Sequence, residues 1–306
     1  MMRIPSCLIV ALLVGCQSSS QRTFKSPEAA VDSLVSALRA HDTKRLNQIF
    51  GEDGTAIITS GDPVSDRNDF DRFLQAYDAK HVLAPADEGA MTLAIGEDDW
   101  PFPVPIVKGH KGWRFDPAAG KDEILNRRIG RNELSTMQVC LAIVDAQHEY
   151  ARLDPGRVGL PVYARRIISE PGKKNGLYWP VLDATASPSP LGPLVARAAD
   201  EGYASARDDS GNAAPYHGYR YRLLTSQGPH ARGGTMDYVI DGRLIGGFGV
   251  LAYPAEYGSS GVMTFMVNHE GTLYQRDLGP DTEQVARSIK AFNPGDGWVA
   301  YEPANE

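Results

Sequence analysis

The sequence predicts an α+β protein of two modules, and three observations carry that prediction. Apolar residues recur at helical spacing near the start, and the period changes to two at about residue 90. One long amphipathic segment, 132–152, then precedes strand-like segments that run almost to the end. The chain has 306 residues, 42% hydrophobic and 23% charged, which is enough to bury one or two cores. Its 31 Lys+Arg against 38 Asp+Glu give a formal charge of −7. That balance lacks the concentrated basic charge that phosphate backbones require, so no nucleic-acid partner is expected. Beyond residue 15 no apolar run approaches the roughly 20 residues of a membrane-spanning helix.

Met1 to Gly15 carries one positive charge, Arg3, followed by an apolar stretch from Leu8 to Val14, the pattern of an export signal. Leu13, Val14, Gly15 and Cys16 resemble the lipobox of bacterial lipoproteins, in which the Cys becomes acylated and is the new first residue. Gln17 to Ser20 then forms a polar tether, so residues 1–15 read as signal peptide and 16–23 as a lipidated tether. Gln17, in place of an Asp that would resemble an inner-membrane retention signal, points to the periplasmic face of the outer membrane. Firm anchoring then rests on several acyl chains, because one chain binds membranes only marginally. Loss of Arg3 makes the mature chain more negative, which argues against a polybasic membrane patch. Of the three Cys, only Cys16 and Cys140 survive processing, so acylation of Cys16 leaves no intramolecular disulfide. Cys140 lies on or beside an apolar helix face, as a buried inert thiol would.

The first module is expected over 24–128. Ser26, Pro27 and Glu28 supply an N-cap, a first-turn Pro and an acid at the positive end of the dipole. Val31, Leu34, Val35 and Leu38 continue as one stripe. A second helix after Asp42 carries Leu46, Ile49 and Phe50 until Gly51. A third, between Ser65 and Asp78, carries Phe70, Phe73, Leu74 and Tyr77. Met91, Leu93 and Ile95 alternate as a strand does, and Val104 to Val107 leads through a Gly109–Gly112 turn to Trp113, Arg114 and Phe115.

The second module is expected over 129–306. Asn132 to Arg152 reads as its opening helix, with Leu134, Met137, Leu141, Val144 and Tyr150 for the buried face. Pro161 to Ile168 suggests a shorter helical piece, and the Pro-rich segment 187–193 a surface loop. Strands are expected at Tyr219–Leu224, Tyr238–Ile240, Phe248–Tyr253, Val262–Val267 and Leu273–Tyr274, with a hairpin turn at Asn268–Gly271 and a closing helix from Asp281 to Phe292.

Helices first, then a curved sheet ending in Trp113, Arg114, Phe115 and Asp116, resemble the NTF2-like module. The long helix and antiparallel strands, with Gly218 to Tyr221 and Ala252 to Pro254, resemble the globular head of pilin-like proteins. The helix departs from pilins because it is polar from Asn132 and lacks their apolar spine, so filament assembly is not expected. Four strings fall in order at 98–103, 123–134, 171–180 and 245–248, and together resemble a bacterial family of exported proteins, domain of unknown function 2950. The resemblance covers about residues 22–300 and implies export without an established activity.

Chemical motifs are sparse. Gly247 to Ala252 matches a dinucleotide-binding pattern, but Pro254 and the strand-like run allow no helix there, so no cofactor is expected. Gly258 to Gly261 is one residue short of a nucleophile elbow. The seven His are scattered, and Asp145, His148 and Glu149 form half of a di-metal pattern without a second copy, so no metal is expected. Asp208 to Asn212 resembles a calcium loop in composition but fails its spacing.

Three constellations remain. Asp98 and Asp99 beside Trp100 stand as a pair of carboxylates at the mouth of the first module, or as a charged hairpin rim. Arg127, Arg128 and Arg131, flanked by Glu123 and Glu133, stand where the modules meet, either as an interface paired to carboxylates or as an anion site. Tyr178, Trp179, Tyr216 and Tyr253 stand as a groove for a peptide or glycan. No catalytic residue emerges. The expectation is a non-enzymatic, exported, lipid-anchored envelope protein that scaffolds another envelope protein or a polymer. The alternative is small-ligand binding or hydrolysis in the first module.

Overall fold

A computed structural model describes residues 21–156, 158–181, 188–203 and 214–302. The chain is α+β, with helices and two main antiparallel sheets. Cys16 and the export signal lie outside the described residues, as does the Asp208 to Asn212 segment.

The N-terminal half is built from local capping outward. Ser26 accepts a hydrogen bond from the Ala29 amide and starts the Pro27–Arg39 helix. Asp42 accepts from the Arg45 amide and starts Thr43–Phe50, which Gly51 ends at a φ of +75°. A single helical turn, Thr55–Ile58, leads to the Pro63–Ala79 helix, capped by Asp62 through the Val64 and Ser65 amides. The sheet that follows pairs His81–Pro85, Met91–Ile95, Ile106–Gly109 and Gly112–Phe115 in that order, with the two-residue strand Trp100–Pro101 beside Met91–Ile95. Leu34, Leu46, Ile49, Leu93, Ile106 and Phe115 form the buried centre of this half.

The helix after the sheet runs from Pro117 to Leu153, so it starts well before the expected Asn132. Two glycines, Gly120 and Gly130, and a polar stretch between them dilute the helical signal before Asn132. Gly120 is required by packing: a Cβ there would stand 2.3 Å from the Pro103 carbonyl oxygen. The helix ends at Asp154, in the left-handed region, whose carboxylate accepts from the Val158 and Gly159 amides. Of the expected apolar face, Met137, Val144 and Tyr150 are buried, whereas Leu134 and Leu141 are 57% and 44% exposed.

The C-terminal sheet has the order Val299–Ala300, Leu273–Asp277, Met263–Asn268, Gly249–Pro254, Tyr219–Leu224, all antiparallel. Both faces of its middle strands are covered. Val250, Ala252, Phe265 and Val267 pack with Cys140, Ile143 and Val144 of the long helix. Leu251, Tyr253 and Met266 face the other way, onto Ala286 and Phe292. This is the two-fold alternation of a strand, and full burial explains the near-continuous apolar runs seen in the sequence.

Three expected elements differ. Pro161–Ile168 is not helical: Tyr163 bridges Leu244, Ile168 bridges Tyr178, and the Gln147 side chain holds both the amide and the carbonyl of Ala164. Those partners offer the backbone more than an isolated turn of helix would. Segment 187–193 is no simple surface loop, because Ser189 and Leu191 are buried and Gly192–Asp200 is helical with Pro193 in its first turn; Ser187 lies outside the described residues. The closing helix is shorter, Thr282–Ser288, since the chain extends afterwards to pair Phe292 with Ser226 and Gly228. The strand His81–Pro85 was not expected from the sequence, where only Val82 and Leu83 are strongly apolar.

Several buried polar contacts join the two halves. Asp62 accepts from Tyr203 Oη and the Gly218 amide, each at 2.8 Å, in addition to its helix cap. Asn132 donates to the Ser260 carbonyl at 2.9 Å, and the Glu133 carboxylate accepts from the Val262 and Met263 amides at 3.0 and 2.9 Å.

Candidate functional site

The Pro63–Ala79 helix is amphipathic, yet Ser65 is its one buried residue among those described. Its aromatic face is partly uncovered because it borders a cavity of about 430 Å³ instead of filling it. Leu34, Leu38, Leu46 and Phe50 line the cavity from the first two helices, and Ile57 and Ile58 from the single turn. Phe70, Phe73 and Ala76 close one side, and Ile95, Trp100 and Phe102 the sheet side. The rings contact one another edge to face: Phe73 and Phe102 are 5.3 Å apart, Trp100 and Phe102 6.3 Å. Such packing holds the wall in place without closing the space.

All the charged lining side chains but one lie at the solvent end. Arg127 sets its guanidinium 5.2 Å from the centroid of the Trp100 ring and pairs with Glu123 at 2.6 Å. Arg131 pairs with both oxygens of Asp69, at 3.0 and 3.1 Å, and Arg72 pairs with the same carboxylate. Arg127 and Arg131 are one helical turn apart on the Pro117–Leu153 helix, so they project from the same side. Asp98 completes the lining.

Arg128 differs from its neighbours. It is 5% exposed and donates to the carbonyls of Ala56 and Ile57 at 2.7 and 2.6 Å. Burial draws its pKa below the ordinary value, opposed by the carboxylates of Asp66 and Asp69. Asp66, beneath it, accepts twice from the Ser60 amide, and burial pushes its pKa up to about 6. Arg128 is therefore a tie between the long helix and the Thr55–Ile58 turn, which shapes the cavity floor.

The structure sorts the residues singled out from sequence. Asp98 and Trp100 line the cavity, whereas Asp99 turns to Lys80, 2.7 Å away. The described hydrogen-bond and ion-pair partners of Arg127, Arg128 and Arg131 belong to the N-terminal half, and only Arg127 and Arg131 form ion pairs with carboxylates; it is Asn132 and Glu133 that hydrogen-bond to the C-terminal half. The proposed aromatic groove does not form. Tyr253 packs beneath the sheet with Leu251, on the face opposite Trp179, and Trp179 is itself buried against Tyr150. Tyr216 packs against Tyr203 and His217, and Tyr178 lies in the bridge to Ile168. Strand alternation separates residues that proximity in composition had grouped.

Sequence reasoning missed Asp69, Arg72, Phe70 and Phe73 as site residues. The helical spacing of Phe70 and Phe73 was visible, but it reads equally as core. Among the described residues no group of three or more His, Cys, Asp or Glu side chains is placed to hold a metal ion. Cys140 is fully buried in the C-terminal half, where burial pushes its pKa up to about 12, and it takes no part in the cavity. Gly249–Pro254 is a central strand, so the glycine pattern there opens no helix. The apolar body and charged rim give the cavity the chemistry of a binding site for a small, mainly apolar molecule.

A family model described as Protein of unknown function (DUF2950) matches residues 21–300. No curated protein and no solved structure matches the chain.

Proposed function

Since the chain belongs to the family of proteins of unknown function DUF2950, we propose that it is an exported, lipid-anchored envelope protein that binds a small apolar ligand in the cavity of its N-terminal half. The observation that carries this reading is the cavity of about 430 Å³ with an apolar, aromatic wall. Its size falls in the range of about 300–1,000 Å³ typical of small-molecule sites. A void of this kind costs stability because its lining atoms lack partners on one side. A ligand that fills it restores those contacts. The lipobox-like Leu13, Val14, Gly15 and Cys16 support the localisation, since acylation at Cys16 and the polar tether that follows would hold the cavity near a membrane, where apolar molecules concentrate.

The test is titration with an environment-sensitive apolar dye. Wild-type protein should bind one dye saturably, and Ala76→Phe, which places a ring inside the cavity, should weaken binding at least tenfold without lowering the melting temperature. Equal binding by both proteins would place the dye elsewhere and end this reading. For the anchor, Cys16→Ser should move the protein from the membrane fraction to the soluble fraction.

The scaffold reading, with another envelope protein or polymer as partner, has one observation in its favour. Leu134 and Leu141 are exposed and two turns apart on the long helix, so they share a face. If that face holds the partner, Leu134→Asp with Leu141→Asp should remove it from a pull-down of detergent-solubilised envelope.

A further inference from the structure

We infer that the ligand of this cavity is a single-chain amphiphile with an anionic headgroup, its tail among the aromatic rings and its headgroup between Arg127, Arg131 and Arg72. The inference rests on the small-ligand reading and adds the ligand's class. Its first support is the gradient of polarity along the cavity. Leu34, Leu46 and Phe50 at the inner end are buried, whereas the side chains of Arg72, Arg127 and Arg131 are 55%, 52% and 50% exposed. A molecule that satisfies both ends is apolar at one end and charged at the other.

The chemistry of the head follows from the rim. Arg72, Arg127 and Arg131 stand there against Asp69, Asp98 and Glu123, so what the rim offers an anion is N–H donors and not net charge. Arg128 is committed to the Ala56 and Ile57 carbonyls and so takes no part in headgroup binding. The other three are oriented but not exhausted. Among the described residues each spends one terminal nitrogen on a carboxylate, and a guanidinium has five N–H donors. Asp69 gathers Arg72 and Arg131 at one point, and the Trp100 ring fixes Arg127 beside them. Preorganised guanidinium forks suit the planar carboxylate or the phosphate oxygens. A trimethylammonium headgroup offers those N–H groups no acceptor, and a hydroxyl offers one uncharged acceptor where a carboxylate or phosphate offers several charged ones.

Volume sets the tail. At about 30 Å³ for a group the size of a water molecule, the cavity holds a chain on the order of a dozen carbons.

The experiment is calorimetric titration of the mature chain, residues 16–306 produced without acylation, with four twelve-carbon ligands below their micellar concentrations: laurate, dodecyl phosphate, dodecanol and dodecyltrimethylammonium. At least one anion should bind tenfold or more tighter than dodecanol, and dodecyltrimethylammonium should bind weakest. A lead for laurate over dodecyl phosphate would assign a carboxylate head, and the reverse a phosphate head. The double variant Arg127→Gln, Arg131→Gln should bring the anions within about twofold of dodecanol and leave dodecanol itself unchanged. Because those side chains are half exposed the variant should fold; Ala76→Phe, which spares the rim, should weaken all four ligands together. Equal affinity for all four ligands would overturn the anionic class and leave the small-ligand reading standing. Binding of none of them would overturn both.

Discussion

At the scale of the residue, Arg128 and Asp66 carry the strongest constraints near the site. Arg128 satisfies two carbonyls that a short helical turn leaves without intrahelical partners, and it does so from a buried position. Arg128→Met should cost about 3–5 kcal/mol, the range for breaking a buried charged contact, because the Ala56 and Ile57 carbonyls lose their donor and Asp66 loses a cation that favours its charged form. Arg128→Lys should recover only part of that, since one ammonium cannot reproduce the guanidinium fork. A urea midpoint that does not move in Arg128→Met would refute the assignment. Asp66 predicts a pH dependence. Its pKa is raised from 3.8 to about 6 by burial, which outweighs the lowering by Ser60 and Arg128, while nearby Asp62 adds to the rise. Between those two values the folded chain keeps a proton that the unfolded chain has lost, so stability should fall as pH rises from about 4 to about 6. The span is on the order of 3 kcal/mol. Asp66→Asn should flatten that slope, and parallel pH profiles for the two proteins would sink the prediction. From the sequence, the arginine cluster stood out with Glu123 and Glu133 beside it, and Arg127 does pair with Glu123. That Arg128 goes to backbone was hidden, because carbonyl partners have no residue type to recognise.

At the scale of the element, the Pro117–Leu153 helix decides how the halves meet, and its two glycines give opposite predictions. At Gly120 a Cβ would lie 2.3 Å from the Pro103 carbonyl oxygen and 2.8 Å from the Val104 nitrogen. Those are backbone atoms and cannot swing away. Gly120→Ala should therefore destabilise by about 1–3 kcal/mol, as overpacking does. At Gly130 nothing lies within 4 Å, so Gly130→Ala should stabilise by about 0.5–1 kcal/mol through helix propensity. Thermal melts of the two variants should shift in opposite directions, and a rise in both would show that helix propensity alone governs both sites. The same glycines explain why the sequence revealed this helix only from Asn132 onward. The strands Tyr219–Leu224, Gly249–Pro254 and Met263–Asn268 were legible because burial leaves either an alternation such as Tyr-Arg-Tyr-Arg or a near-continuous apolar run. His81–Pro85, an edge strand with largely exposed side chains, leaves no such mark. Pro161–Ile168 misled because its spacing fits a helix while its partners, Leu244, Tyr178 and Gln147, are distant in sequence.

At the scale of the whole molecule, the sequence could count apolar residues but not the space between them. Phe70 and Phe73 look the same in a one-dimensional pattern whether they fill a core or line a cavity, and only the packing of three helices against the sheet separates the two outcomes. The α+β class was readable for the opposite reason, because it depends on periodicities within each segment. How the halves depend on each other is also a property of the whole. One helix contributes Ile124 to the N-terminal core and Met137, Ile143 and Tyr150 to the C-terminal one. Asp62, Asn132 and Glu133 add buried and half-buried hydrogen bonds across the junction. Neither core can lose its share of that helix without exposing the other, so the protein should unfold in one calorimetric transition. Leu134 offers a way to cut the connection, since its side chain is exposed and its loss removes no core contact. Leu134→Pro removes a backbone hydrogen bond and inserts a ring into the preceding turn, at about 3 kcal/mol. The break falls between Arg131 and Met137, beyond the last arginine that ties the helix to the N-terminal half and before the first residue packed in the C-terminal core. The single transition should then split in two. Two resolved transitions in the wild-type protein would mean that the halves unfold independently despite the shared helix, and one merely lowered transition in the variant would mean that the contacts across the junction, rather than the continuity of the helix, set the cooperative unit.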